Sequence, residues 1–226
     1  MKSLLSIMVG CLMVQSAMAQ FAGSVPMQGA DKFLVGAQQI RTQKYTRLVQ
    51  GSPFYLDEYA PATIGVKNGD QYAGVSVKLN LADQELYFLT AEGKELVLTQ
   101  PVDFVELNNA TGSQKLQFDF FVKQDDAEKP WGWLQLLASG SSVKLYKRHV
   151  KVLDETTPYG SATVEQKIHA NFHYYAWKNG EWTRLKKIED VAEMEGVKKA
   201  EILDLIKKNK LKTKEDADWA QLGSLL

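Results

Sequence analysis

The chain is 226 residues long and poor in cysteine, histidine and proline, with 1, 3 and 6 of them. It carries no charge of one sign, since 27 Lys and Arg stand against 27 Asp and Glu. Beyond its first twenty residues it has no long apolar run. Each absence removes a class of protein. Cys11 is the single cysteine, so no disulfide within the chain and no cysteine nucleophile in the body of the protein is expected. A balanced charge gives no general attraction to nucleic acid. No later segment approaches the roughly 18 apolar residues of a membrane helix.

The three histidines limit imidazole chemistry. His169 and His173 have the spacing of zinc ligands on a helix. On a strand the same spacing puts the rings about 13 Å apart, and no Glu follows His169, so the metallopeptidase pattern fails. No metal or cofactor is expected. No Ser sits in a G-x-S-x-G elbow. Ser139-Gly140-Ser141 lacks the leading glycine and reads as a hairpin turn.

What is present begins with MKSLLSIMVGCLMVQSAMAQ. Lys2 is a positive start, Leu4 to Val14 a short apolar stretch, and Ala17-Met18-Ala19 an A-x-A cleavage sequence. This is a signal-peptide pattern over residues 1–19, too short to span a bilayer as a mature helix. Met8-Val9-Gly10 before Cys11 fits a lipid-attachment signal poorly. Residues 20–50 are weakly patterned and read as a loose N-terminal arm.

From residue 51 short alternating runs separate turn signals, the mark of antiparallel sheet. Thr63 to Lys67 and Tyr72 to Asn80 flank Asn68-Gly69, a dipeptide suited to a type I′ turn. Glu85 to Thr90, Lys94 to Leu98, Val102 to Leu107 and Leu116 to Val122 continue the series. KPWGWLQLLASGSSVKLYKR, residues 129–148, reads as a hairpin around Ser139 to Ser142. Trp133 falls on its buried face as a core residue. Trp131 falls in a loop after Asp125, Asp126 and Glu128. Phe172 to Lys178 and Trp182 to Lys187 flank Asn179-Gly180-Glu181. Ile188, Val191 and Met194 then recur at helical spacing, with Gly196 at a C-cap position. Val197, Ile202, Leu205 and Ile206 form the stripe of a second helix whose lysines are its solvated side. Thr213 with Asp216 resembles a capping box for a last one. Asn109-Ala110-Thr111 matches a glycosylation acceptor.

Several phrases together resemble a group of exported proteins of Bacteroidota: Gly51 to Leu56 before a strand, Tyr72 to Val75 leading into Lys78 to Leu81, Trp133 to Leu137 leading through Gly140 to Lys144 to Lys147, and the basic helix Ile202 to Leu211. The likeness covers residues 47–226. It implies a β meander with a short helical tail and a Gram-negative envelope location. It brings no activity and no functional residues with it.

The expected fold is therefore α+β, mainly β: an antiparallel β meander over residues 51–187, curled into a sandwich or open barrel. Residues 188–226 form a C-terminal helical cap, and short connections make sequential strands neighbours. The expected function is an exported, non-enzymatic binding or structural protein of the bacterial cell envelope, periplasmic or surface-associated. Its expected partner is an envelope protein or glycan. The candidate ligand-binding residues are Trp131, Asp125 and Asp126 at an open end of the sheet, and Tyr174 and Trp177 on an exposed sheet face. The alternative is an envelope enzyme acting on polysaccharide or peptide through Asp125, Asp126, Glu128 and a histidine.

Overall fold

Alternation of apolar and polar residues over most of the chain dictates strands, and strands dominate. The computed structural model describes residues 37–39, 44–67, 69–108, 115–194 and 198–224. The signal-peptide segment, Asn68 of the expected turn, the acceptor Asn109, Gly196 and Val197 lie outside them. Among these residues twelve strands form one sheet. They are β1 (Ala37–Gln39), β2 (Leu48–Gln50), β3 (Ala60–Val66), β4 (Gln71–Asn80), β5 (Glu85–Leu89), β6 (Glu95–Leu98), β7 (Val102–Asn108), β8 (Lys115–Phe121), β9 (Gly132–Ser139), β10 (Lys144–Thr156), β11 (Glu165–Lys178) and β12 (Glu181–Leu185). A 3₁₀ turn, Ile188–Glu193, and helices α1 (Lys199–Asn209) and α2 (Asp216–Gly223) follow.

The order across the sheet is β1-β6-β5-β4-β3-β7-β8-β9-β10-β11-β12, with β2 pairing parallel to β11. All other pairings are antiparallel. The sheet is open, since β1 and β12 end the order without pairing to each other. In one place it is not a simple meander. β7 pairs with β3, not with its sequence neighbour β6. In a flat sheet four strand spacings, about 19 Å, would separate β6 from β7. Residues 99–101 let Leu98 and Val102 lie at most about 14 Å apart. The sheet must therefore curl through β3–β7. A short connection guarantees nearness in space, not a shared hydrogen-bond ladder.

The curl encloses an aliphatic core. Ile64, Val77, Leu79, Phe88, Val105 and Phe118 are buried there, together with Trp133 from β9. Each fully buried side chain of this size contributes about 1.5–3 kcal/mol. Tyr55 inserts its ring between Phe118 and His149, at centroid distances of 4.7 and 5.2 Å. Gly132 is fixed by a close approach: at φ 82° its Cα faces the Gln84 carboxamide, which a Cβ would overlap. Gln84 Oε1 accepts from the Trp133 amide at 2.6 Å and so ties the β4–β5 turn to β9.

Residues 44–50 strap the two halves together. Asp83, in the β4–β5 turn, accepts hydrogen bonds from Lys44, from the Tyr45 hydroxyl and from the Asn80 amide. Burial alone would raise the Asp83 carboxyl, but these donors hold it below the usual carboxylate range. On the other side Gln166 of β11 donates to the Lys44 carbonyl at 2.9 Å and accepts from the Arg47 amide at 3.2 Å.

The helices cover one face of β9–β12. Val143, Leu145, Tyr174, Ala176 and Leu185 meet Ile188, Val191, Ile202, Ile206, Trp219 and Leu222 in a second core. The recurrence of Ile188, Val191 and Met194 at every third residue is the period of a 3₁₀ helix, and that is what forms. The Thr213–Asp216 pair does not make the expected capping box. The α2 N-cap is Glu215. The Thr213 hydroxyl accepts instead from the Ile188 amide at 3.0 Å, and its carbonyl accepts from the buried Trp219 indole at 2.7 Å. Among the described residues no helix is long and apolar enough to cross a membrane.

Candidate functional site

Strand parity decides which side chains of β8–β12 meet. Asn179 and Gly180, at φ 53° and 87°, make a two-residue turn of the type I′ kind. That turn sets the register Trp177↔Trp182 and Tyr175↔Arg184. On the long β10–β11 pair the register is Lys144↔Trp177, Tyr146↔Tyr175, Lys147↔Tyr174 and Arg148↔His173. Lys147 and Tyr174 thus belong to the inner face, under the helices. Lys144, Tyr146, Arg148, His173, Tyr175, Trp177, Trp182 and Arg184 belong to the outer face.

The inner face holds a closed polar cluster. Lys147 Nζ lies 2.8 and 2.7 Å from the two Asp216 oxygens, and the Tyr174 hydroxyl donates to Asp216 Oδ1 at 3.1 Å. Tyr174 is 3% exposed and stacks on Trp219, with centroids 4.4 Å apart. Burial, and then the Asp216 charge, push its hydroxyl pKa up. His149 Nε2 sits 2.8 Å from Gln135 Oε1. Burial, reinforced by Lys147, brings the imidazole down to about 4, so it is neutral at pH 7. Every group in this cluster has a partner, and its work is to fasten α2 to the sheet.

The outer face is different. No helix covers it among the described residues. Leu134, Tyr146 and Tyr175 are its buried floor, and Phe121, Leu136, Trp177 and Trp182 pack over them. Phe121, Tyr146 and Trp182 meet edge to face at 4.9–5.6 Å. Beside them a groove of about 310 Å³ is lined by Phe104, Asp119, Phe121, Lys144, Tyr146 and Trp177. The Tyr146 hydroxyl donates to Asp119 Oδ2 at 2.7 Å, and Gln117 donates to Asp119 Oδ1 at 2.7 Å. The groove therefore offers flat rings, a carboxylate held in place by two donors, and an ammonium. Two other grooves exist. One of about 740 Å³ follows β12 and the 3₁₀ turn, and one of about 380 Å³ is lined by Leu56, Tyr59, Pro61, Leu107 and Leu116 among others.

The expected site residues separate. Tyr174 and Trp177 do not share a face, being three residues apart on one strand. Tyr174 is core, which corrects its expected exposure, whereas Trp177 borders the outer groove. Trp131 is half-buried in the loop before β9. Its ring carries Arg148 at 4.9 Å and Lys123 at 5.5 Å. Asp125, Asp126 and Glu128 are exposed. Asp126 accepts from the Glu128 amide at 3.0 Å and pairs with Lys129 at 3.9 Å. Trp133 is 2% exposed, as a core residue should be. The histidines go three ways: His149 to the inside, His173 to Arg184 on the outer face, and His169 to Asp154 at 3.2 Å. Among the described residues no three His, Cys, Asp or Glu side chains are placed to hold a metal ion. Tyr146, Arg148, Trp182 and Arg184 were not singled out by sequence, although alternation around the Asn179-Gly180 turn places them on one face.

No protein-family model, no curated protein and no solved structure matches the chain.

Proposed function

We propose that the chain is an exported, non-enzymatic binding protein of a bacterial cell envelope, and that its ligand is a saccharide held on the outer face of β8–β12. The observation that carries this reading is the groove lined by Phe104, Phe121, Tyr146 and Trp177 beside Asp119 and Lys144. A pyranose has an apolar C–H face and an equatorial rim of hydroxyls. Flat rings match the first, and a fixed carboxylate with an ammonium matches the second. The N-terminal pattern of residues 1–19 supports export. The dispersal of the three histidines, each with its own partner, supports binding over catalysis, because acid–base chemistry needs such groups in one cleft.

Two measurements test it. N-terminal sequencing of the chain recovered from fractionated cells should begin at Gln20 in the envelope fraction; an intact Met1 in the cytosol refutes export. Titration of oligosaccharides against tryptophan fluorescence should show saturable binding that Trp177→Ala abolishes. Full affinity in that variant, with the fold intact, refutes the groove.

A further inference from the structure

Among the described residues, two arginines on the outer face have no carboxylate to answer them. Arg148 is the register partner of His173 across β10 and β11. Arg184 of β12 donates from Nη2 to His173 Nδ1 at 3.0 Å. Among the described residues neither guanidinium is within ion-pair distance of an Asp or Glu. Among the described residues the acidic loop before Trp131 makes one ion pair, Asp126 with Lys129. Arg148 Nε is buried with no hydrogen-bond partner. A third cation, Lys123, lies over the Trp131 ring that Arg148 also covers. Like charges on β10, on β12 and in the β8–β9 loop repel one another across one face, and a buried unpaired donor is costly. A bound anion removes both penalties.

His173 completes the set. Its Nδ1 accepts from Arg184, which places the ring proton on Nε2 as a further donor. Burial, followed by Arg184 and Arg148, pulls its pKa down and keeps the ring neutral. Two guanidinium forks and one neutral N–H are the donor set of an oxyanion site. The site lies in line with the aromatic groove. Trp177 and His173 are four residues apart on one face of β11, about 13 Å, and Tyr175 stands between them. Arg184 also borders the groove of about 740 Å³ beside β12, whose carboxylates Glu181, Asp190 and Glu193 are not within ion-pair distance of it.

We infer that Arg148, Arg184 and His173 bind one oxyanion, and that this group belongs to the saccharide in the neighbouring groove, so that the ligand is an acidic glycan. The saccharide half rests on the reading of the groove given above, whereas the oxyanion half stands on its own residues.

The test uses three probes on the purified exported chain: sodium sulfate at constant ionic strength, trigalacturonate, and the methyl ester of that trimer. Sulfate should give saturable shifts of the Arg148, His173 and Arg184 amide signals in NMR spectra. Arg148→Gln and Arg184→Gln should each weaken it by about tenfold, the equivalent of one charge-assisted contact. Trigalacturonate should bind at least about tenfold more tightly than its ester, and Arg148→Gln should erase that difference. Melting curves confirm that each variant folds, and Arg184→Gln serves if Arg148→Gln does not. An absence of saturable sulfate shifts overturns the oxyanion site. Sulfate binding with equal affinity for acid and ester overturns the acidic-glycan assignment. Trp177→Ala separates the two readings: it should abolish trigalacturonate binding and leave sulfate binding unchanged. If trigalacturonate binding survives in that variant, the groove reading fails while the oxyanion site stands.

Discussion

The two faces of the β10–β11 hairpin use neighbouring residues of the same kind for opposite ends. Lys147 points inward and is answered by Asp216. Arg148 points outward, and no described carboxylate answers it. Tyr174 stacks under α2, while Tyr175 lies in the floor of an uncovered aromatic face. Composition does not separate these pairs; parity does. The charge facing a covering element, Lys147, has been given a partner, because a buried charge without one is costly. A charge left unanswered on the uncovered face is where an outside partner would be sought.

Four experiments break or sharpen this contrast. The largest effect should come from Trp219→Ala, which removes the fully buried ring under Tyr174 and the indole bond to Thr213. It should cost about 3–5 kcal/mol in urea denaturation. A change under 1 kcal/mol would mean the cap does not stabilise the sheet.

Acid should act next, through His149. Its folded pKa, about 4, lies below the ordinary 6.5, so the unfolded chain binds the extra proton first. The stabilisation is complete above about pH 6.5 and is lost as pH falls toward 4. Wild type should therefore lose about 2 kcal/mol more between pH 7 and pH 5 than His149→Gln does. Parallel pH profiles of the two proteins would contradict it.

Asp216→Asn should cost about 1–2 kcal/mol, because it leaves Lys147, 12% exposed, facing a neutral amide. The outer counterpart, Arg148→Gln, should change stability by less than about 0.5 kcal/mol, since it relieves repulsion as much as it removes contact. Equal losses from these two variants would erase the distinction between the faces.

Much of this was legible in the sequence. The turns at Asn179-Gly180 and Ser139 to Ser142 bracket strands that exist, and Trp133 is core because its neighbours alternate correctly. Trp177 was expected on an exposed sheet face and is half-buried beside the outer groove. Its pairing with Tyr174 failed on parity alone, since residues three apart on a strand face opposite ways. The β3–β7 ladder was out of reach, because local pattern marks a strand without naming its partner. The Arg148–His173–Arg184 row needs register across three strands. Its members are 36 residues apart at the extremes, and no short motif joins them.

The three-residue link between β6 and β7 has a kinetic meaning. β3 has one partner next to it in the chain, β4, and one beyond three further strands, β7. Closing the second ladder before β4, β5 and β6 have folded back would order a long loop for little return. The β3–β6 meander must therefore be in place, or forming, when β7 docks. Residues 99–101 make that docking nearly unimolecular once it is. Lengthening them with flexible residues should slow folding through β7 while leaving the hairpins at the other end of the chain to form at their own rate.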